Sequence, residues 1–132
     1  NLVTVANIGE VVIRGHVGVG PKVTGKITIL RTSDERTGEE VKGKLVVIPY
    51  CNQSFLPILQ EASGIILQNA MDDTASEKTA HLIAKTFEIP CITRADGALH
   101  LLSEGEEMTL HPQKGLIYRG TEESFSCPSF SL

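Results

Sequence analysis

The chain has 132 residues, 41% of them hydrophobic, and a formal net charge of -4. This length and composition are typical of one globular domain with its own core; they exclude a disordered chain, and the absence of a basic cluster excludes a nucleic-acid partner. No apolar run reaches the roughly 20 residues that span a bilayer, so we expect a cytoplasmic protein with no membrane partner.

The first third of the chain is predicted to be mostly strand and loop. Residues 8–14 favour a strand, and the glycine-rich residues 15–21 indicate a turn-rich break. The alternation over residues 22–31 predicts a half-buried, antiparallel strand, whereas the polar residues 32–43 indicate a solvated loop with at most a helical turn. The unbroken apolar run at residues 45–48 is typical of a central strand that is buried on both faces.

Helices and buried strands are predicted to alternate from there to residue 93. Ser54 is predicted to cap a short helix over residues 55–62, and Gly64 to end this helix in the left-handed conformation. Two further apolar runs, at residues 65–67 and 91–93, predict buried strands. Because linkers this short require right-handed crossovers, we expect the three buried strands to be parallel neighbours.

A longer helix is predicted over residues 75–87, between the last two of these strands. Thr74 and Glu77 have the spacing of a capping box, in which each side chain bonds the other residue's backbone amide. At 3.6 residues per turn, one face of this helix carries small and apolar side chains that can cover a sheet. These residues are Ala80, Ile83, Ala84 and Phe87.

The chain is predicted to close with a hairpin whose strands lie at residues 106–110 and 115–119. We therefore expect a single domain over residues 1–120, followed by a serine-rich tail at residues 121–132. The sequence begins with Asn1 rather than methionine, from which we expect a fragment of a longer protein.

Cysteine and histidine residues show no pattern of a disulfide framework or a metal site. The three cysteines are widely spaced and odd in number, so we expect reduced thiols. The histidines stand at no ligand spacing, so we predict no metal site. These residues are Cys51, Cys91 and Cys127, and His16, His81, His100 and His111.

A candidate ligand site follows from the predicted parallel strands, since ligands of open α/β sheets bind beyond the carboxyl ends of the strands. The residues that follow the three strands and could bind a small ligand are Tyr50, Asn52, Asn69, Asp72, Asp73, Arg94 and Asp96. Turn residues of this composition are expected at such positions in any case. A small-ligand binding module and ordinary turns therefore both stay open.

Several motifs resemble the mobile, swivelling domain of phosphoenolpyruvate-utilising enzymes. They are the strand at residues 45–48, the run Pro-Ile-Leu-Gln-Glu-Ala-Ser-Gly-Ile-Ile at residues 57–66, residues 80–84, and Ile-Pro-Cys-Ile at residues 89–92. The flanks, at residues 8–15 and 104–120, are similar to the extra carboxy-terminal domain of some bacterial pyruvate kinases. The resemblance implies an α/β fold, namely a three-layer β/β/α swivelling (phosphohistidine-like) domain with a parallel βαβαβ core.

The same resemblance implies a role within a larger enzyme. The chain would be an appended, non-catalytic domain of a pyruvate kinase, which transfers the phosphoryl group of phosphoenolpyruvate to ADP in glycolysis, and its role would be structural, oligomer-stabilising or regulatory. Its partners would be the catalytic and allosteric domains of the parent chain, within a homotetramer. Magnesium and potassium would belong to the parent, and no cofactor is expected in this domain.

The resemblance does not extend to the active histidine of the phosphotransferring members. In those members a Gly-Gly-x-Thr-Ser-His-Ala-Ala stretch opens the helix, and its histidine takes the phosphoryl group. Thr79 stands at that position here, so we predict no catalytic residue. His81 lies about 200° further around the helix, and a phosphohistidine carrier that uses His81 remains the alternative. The acidic residues at the helix start, Asp72, Asp73 and Glu77, would repel a phosphate.

Overall fold

The computed structural model describes residues 10–119, which form one continuous sheet of eight strands with four α-helices. The strands are β1 (Val11–Arg14), β2 (His16–Val19), β3 (Val23–Ile29), β4 (Leu45–Ile48), β5 (Gly64–Leu67), β6 (Cys91–Thr93), β7 (Glu107–His111) and β8 (Leu116–Arg119). The helices are α1 (Gly38–Val41), α2 (Leu56–Leu59), α3 (Thr74–Phe87) and α4 (Ala98–Leu101), and a 3-10 turn at Gln53–Phe55 precedes α2. The predictions for residues 1–9 and for the serine-rich tail lie outside the described residues.

The centre of the sheet is parallel. β4 pairs with β3 on one side and with β5 on the other, β5 also pairs with β6, and all three pairs are parallel. Leu45 lies opposite Gly64 and Ile48 opposite Leu67, so β4 and β5 are in register along their full length. Every residue of both strands is buried, which requires cover on both faces. The predicted parallel βαβαβ core is confirmed.

Two hydrophobic clusters cover the two faces of this parallel centre. On one face Ile48 and Ile65 pack with Phe55 and Ile83, from the segment around α2 and from α3. On the other face Val47, Ile66 and Ile92 pack with residues of the antiparallel strands β1, β7 and β8, which are Ile13, Met108, Leu110 and Ile117. Helices, parallel strands and antiparallel strands thus form the predicted three-layer β/β/α arrangement.

The strand β2 corrects the prediction of a turn-rich break at residues 15–21. The strand order is β1-β8-β7-β3-β4-β5-β6-β2, so the two strands at the ends of the sheet are consecutive in the chain. Only Gly15 separates them, and its amide donates to Gly115 O while the amide of Gly18 donates to Pro112 O. The sheet therefore bends back on itself. Sequence pattern missed β2 because its His16 and Val17 are exposed and its pairing partner is distant in sequence.

The strand β3 belongs to both halves of the sheet, so the prediction of an antiparallel strand was only half right. Its first part is antiparallel to β7, with Val23 opposite Leu110. Its last part is parallel to β4, with Ile27 opposite Leu45. The predicted terminal hairpin is confirmed by the antiparallel pair of β7 and β8.

The start and the end of the first predicted helix were wrong. Asn52 caps the 3-10 turn, and its side chain accepts a hydrogen bond from the amide of Ser54, the residue that was predicted to cap. The α-helix ends at Leu59, and Gly64 is the first residue of β5 rather than a left-handed helix end. A Cβ at this position would lie 2.7 Å from a side-chain carbon of Leu45, so any larger residue would require that side chain to shift.

Two details of the predicted helix at residues 75–87 were also wrong. Asp73 caps α3 through the amide of Ser76, so the capping box of Thr74 and Glu77 does not form. The sheet-covering face consists of Ser76, Ala80, Ile83 and Ala84. Phe87 is 39% exposed and lies in a groove between α2 and α3. It therefore does not belong to the face that covers the sheet.

Candidate functional site

A cleft of about 570 Å³ opens where β4, β5 and β6 end. Three of the seven candidate residues line this cleft, namely Asn69, Arg94 and Asp96. Gln68 lines it as well and was missed, although it directly follows β5 and the rule that selected Asn69 could have selected it. Whether the cleft binds a ligand stays a prediction.

Asn69 holds the floor of the cleft together. It is 3% exposed, and its Oδ1 accepts a hydrogen bond from the amide of Arg94 at 2.9 Å. Its Nδ2 donates to Asp73 O at 3.2 Å and to Glu77 Oε2 at 2.7 Å. One amide side chain thus connects the end of β6 with the loop before α3, so Asn69 is a structural crosslink that fixes the cleft's shape.

The carboxylate of Asp73 occupies the amino terminus of α3. Its Oδ1 accepts from the amide of Ser76 at 3.1 Å, and its Oδ2 accepts from the Ser76 hydroxyl at 2.6 Å. A helix amino terminus can bind a phosphate through such free amides. Here the Asp73 carboxylate already accepts from one of these amides. Its negative charge repels a phosphate.

The thiol of Cys51 lies next to this cap and is not activated. The backbone amide of Cys51 donates to Ser76 Oγ at 2.9 Å. Burial, with the charge of Asp73 as a smaller cause, raises the pKa of the Cys51 thiol to about 12. Burial likewise raises the pKa of Cys91. Because a thiolate is the reactive form of cysteine, neither side chain is suited to nucleophilic chemistry near pH 7.

Asp73 and the other three candidate residues do not line the cleft. The ring of Tyr50 packs edge-on against Phe55, with 5.2 Å between the ring centroids. Asn52 caps the 3-10 turn as described above. Asp72 is exposed on the loop before α3. Turn and capping chemistry accounts for Asn52, and core packing accounts for Tyr50.

Arg94 is the unusual residue of the cleft. Its φ of 51° is in the left-handed region, which non-glycine residues seldom adopt. Its side chain is only 18% exposed, and its Nη2 lies 3.7 Å from Asp96 Oδ2. Among residues 10–119, no acceptor bonds its buried Nε.

The two positions that bear on phosphoryl transfer lie inside α3 rather than at its opening. Thr79 is in the second helical turn and lines the groove between α2 and α3, together with Leu82 and Ile83. The Nε2 of His81 is buried and bonds to no partner within the described part of the chain. In this side-chain conformation a phosphoryl donor has no access to that nitrogen.

The described residues offer no preformed metal cage. Between residues 10 and 119, no three histidine, cysteine or acidic side chains come close enough together to hold a metal ion. In the same part of the chain, every helix is too short or too polar to cross a bilayer.

Comparison with protein families identifies a clear match. Residues 40–115 match the profile described as PEP-utilising enzyme, mobile domain. A pyruvate kinase of Sporosarcina psychrophila is 24% identical over 91% of this chain and 20% of its own length. A phosphoenolpyruvate synthase of Aeropyrum pernix is 28% identical over 88% of this chain and 14% of its own length. The chain therefore spans about a fifth, or less, of the relatives that it matches.

A solved structure has the same fold. The crystal structure of Thermococcus kodakaraensis aconitase X superimposes with a TM-score of 0.57 over 80% of this chain and 95% of that chain, at 20% sequence identity. Identity this low supports a common fold and carries no functional argument.

Proposed function

The chain belongs to the family of mobile domains of PEP-utilising enzymes, and from this membership we propose that it is a non-catalytic domain appended to a pyruvate kinase. The parent enzyme transfers the phosphoryl group of phosphoenolpyruvate to ADP in the cytoplasm. The domain contacts the catalytic and allosteric domains of its own chain and supports the stability or the regulation of a homotetramer. Magnesium and potassium belong to the parent's catalytic domain in this proposal.

The observation that carries the proposal is the opening of α3. Phosphotransferring members are expected to present a histidine there, and in this chain the Asp73 carboxylate instead accepts a hydrogen bond from the amide of Ser76 in the first helical turn. Thr79, which takes the place of that histidine in the sequence, lies one turn inside the helix and has no imidazole. A phosphoryl carrier would therefore lack the acceptor imidazole at this position, and the start of α3 would repel the phosphoryl group.

The similarity to phosphoenolpyruvate synthases supports a carrier role as the second candidate, in which His81 would accept the phosphoryl group. The identity of 28% to the Aeropyrum pernix protein is no lower than that to the pyruvate kinases. The buried Nε2 of His81 argues against this candidate. The pyruvate kinase assignment is the one that requires no active histidine, and we prefer it for that reason.

We expect the domain to be chemically inert toward phosphoryl donors. Incubation with phosphoenolpyruvate should leave the mass of the chain unchanged, because Thr79 cannot form a phosphohistidine and Asp73 repels the incoming anion. Intact-mass spectrometry at neutral pH measures this directly. The His81→Ala variant is the matched control. An acid-labile gain of one phosphoryl group that this variant abolishes would establish the carrier role instead.

Removal of the domain should leave the chemistry of the parent enzyme intact. A parent truncated just before Val5 should keep its maximal rate, while its melting temperature falls or its cooperativity toward phosphoenolpyruvate shifts. The expected change is modest because interfaces between domains of one chain are small and polar. Steady-state kinetics and thermal melts on the tetramer measure both effects.

A second parent variant tests whether unfolding the domain has the same effect as deleting it. Phe55→Ala within the full-length parent should disrupt this domain in place, and it should reproduce the shift in stability or cooperativity seen on truncation. A fall in maximal rate of about a hundredfold, roughly 2.7 kcal/mol in the activation barrier, with the tetramer intact would contradict the non-catalytic assignment.

A further inference from the structure

The groove between α2 and α3 has a volume of about 510 Å³ and is lined mainly by apolar side chains. The lining residues are Gln53, Leu56, Pro57, Thr79, Leu82, Ile83, Thr86 and Phe87. Three of the large apolar side chains are accessible to solvent, since Leu82 is 66% exposed, Leu56 40% and Phe87 39%. Exposed apolar side chains that form a cluster mark an interaction surface.

The size of the groove limits what can bind there. A stable interface between folded proteins takes about 20–30 residues from each partner, whereas eight residues line this groove. The groove therefore suits a few side chains of an extended segment. A segment that is tethered to the same domain needs little intrinsic affinity, because a short linker gives it a millimolar effective concentration.

Two lysines of α3 border the groove. Lys78 stands four residues before Leu82 and Lys85 three residues after it, which makes both lysines neighbours of Leu82 on the helix surface. Both are exposed, and the ion pairs of residues 10–119 involve neither of them. The groove therefore favours a segment that has acidic residues beside apolar ones.

Residues 120–132 have this composition. Glu122 and Glu123 are followed by Phe125, Phe130 and Leu132, and the segment contains no lysine or arginine. Two of the four phenylalanines of the chain are in these 13 residues. The acidic residues thus complement the lysines of α3, and the aromatic residues match the apolar lining.

The described fold ends close to the groove's end. Arg119 ends β8 and lies opposite Met108 of β7, which lies opposite Gly25 of β3, two residues before β3 begins to pair with β4. This is the amino end of the parallel strands. Phe87 lies at the same end, because only three residues separate it from the start of β6.

The segment is long enough to reach the helices from β8. It must pass the parallel layer, which takes two layer spacings of about 10 Å each. An extended chain advances about 3.3 Å per residue, so the six residues up to Phe125 span about 20 Å and all 13 residues span about 43 Å.

We propose that residues 120–132 bind in the groove between α2 and α3 of their own domain. The aromatic side chains of the segment fill the groove, and its two glutamates lie beside Lys85, the lysine nearer to the end where the segment arrives. The segment thereby covers Leu56, Leu82 and Phe87, and the groove is closed to other proteins while the segment is bound. The proposal does not depend on the identity of the parent enzyme.

A nitroxide label on Cys127 of the ¹⁵N-labelled 132-residue chain tests whether the segment reaches the groove. Cys51 and Cys91 are buried, so Cys127 is the cysteine left to react with the label. The amide resonances of α2 and α3 around Leu56 and Leu82 should broaden. No broadening there would overturn the proposal.

The same label in a chain that carries Phe125→Ser and Phe130→Ser is the control, and most of the broadening should disappear. Unchanged broadening in this variant would show that the aromatic residues do not hold the segment, and it would overturn the proposal. A mixture of ¹⁵N chains without the label and ¹⁴N chains with it should show no broadening. Broadening in the mixture would show that the segment binds a second copy of the chain instead.

Leu82→Ala and Leu101→Ala are a matched pair, because both leucines are exposed on helices and Leu101, on α4, lies outside the groove. Leu82→Ala should lower the melting temperature more in the 132-residue chain than in the chain with Phe125→Ser and Phe130→Ser, which has already lost the contact. Leu101→Ala should have the same effect in both chains. An equal effect of Leu82→Ala in both chains would overturn the contact with the segment.

Charge reversal tests the position of the glutamates. Lys85→Glu should lower the ratio of bound to free segment roughly two- to fivefold, the usual worth of an exposed ion pair, and Cys127 label broadening measures this ratio. Glu122→Lys and Glu123→Lys in the same chain should restore it. A ratio that Lys85→Glu leaves unchanged, or that the reversal does not restore, would overturn the placement beside Lys85.

Discussion

Replacing Phe55 by alanine should lower the free energy of unfolding by about 3–5 kcal/mol. The side chain is fully buried in the cluster between the helices and the parallel strands, and its ring is the partner of Tyr50 at 5.2 Å. The substitution removes apolar contacts and leaves a cavity that the surrounding strands cannot fill. Urea unfolding followed by far-UV circular dichroism measures the loss.

Phe87→Ala is the matched control for Phe55→Ala, because both changes delete the same ring. Phe87 is 39% exposed at the carboxyl end of α3, so its removal should cost only about 1–2 kcal/mol. The periodicity of α3 alone predicted Phe87 as a core residue, so the pair also tests the corrected helix face. Equal losses for the two variants would contradict the structural assignment.

The parts of the fold that the sequence predicts well are those with a local cause. The runs that form β4, β5 and β6 are apolar apart from Thr93, because both of their faces are covered. The helix α3 ends at Phe87, Glu88 adopts the left-handed conformation, and Pro90 follows two residues later. By contrast, β2 has exposed residues at its start and exists because of its pairing with β6. A contact between residues so far apart leaves no periodic signal in either segment.

The candidate site was predictable to a similar degree. The rule that ligands lie beyond the ends of parallel strands located Asn69, Arg94 and Asp96 at one cleft. The same rule also selected Asp73, and it could not show that the Asp73 carboxylate caps α3 and does not line the cleft. The left-handed backbone of Arg94 also has no signature in the sequence, because arginine is not a residue that indicates this conformation.

Gly18→Ala should detach β2 from the sheet, which is the second large effect that we expect. A Cβ at Gly18 would overlap the carbonyl oxygen of Cys91 and would lie 2.8 Å from its carbonyl carbon and 3.1 Å from Ile92 Cα. These are backbone atoms of β6, a buried strand, so they cannot rotate away as a side chain could. β2 must therefore move, and the antiparallel pairs of His16 with Thr93 and of Val19 with Cys91 are lost.

The loss of free energy of unfolding for Gly18→Ala should be at least about 3 kcal/mol, the upper end of the range for overpacking, since the obstacle is main chain. Gly105→Ala is the control: Gly105 has a φ of 83° and nothing within 4 Å of a new Cβ, so only backbone strain of about 1–2 kcal/mol remains. Urea melts rank the two variants, and hydrogen exchange at the amides of β6 should accelerate in Gly18→Ala alone. If Gly18→Ala costs no more than Gly105→Ala, the close approach of β2 to β6 does not exist in solution, and residues 15–21 form the turn-rich break that the sequence predicts.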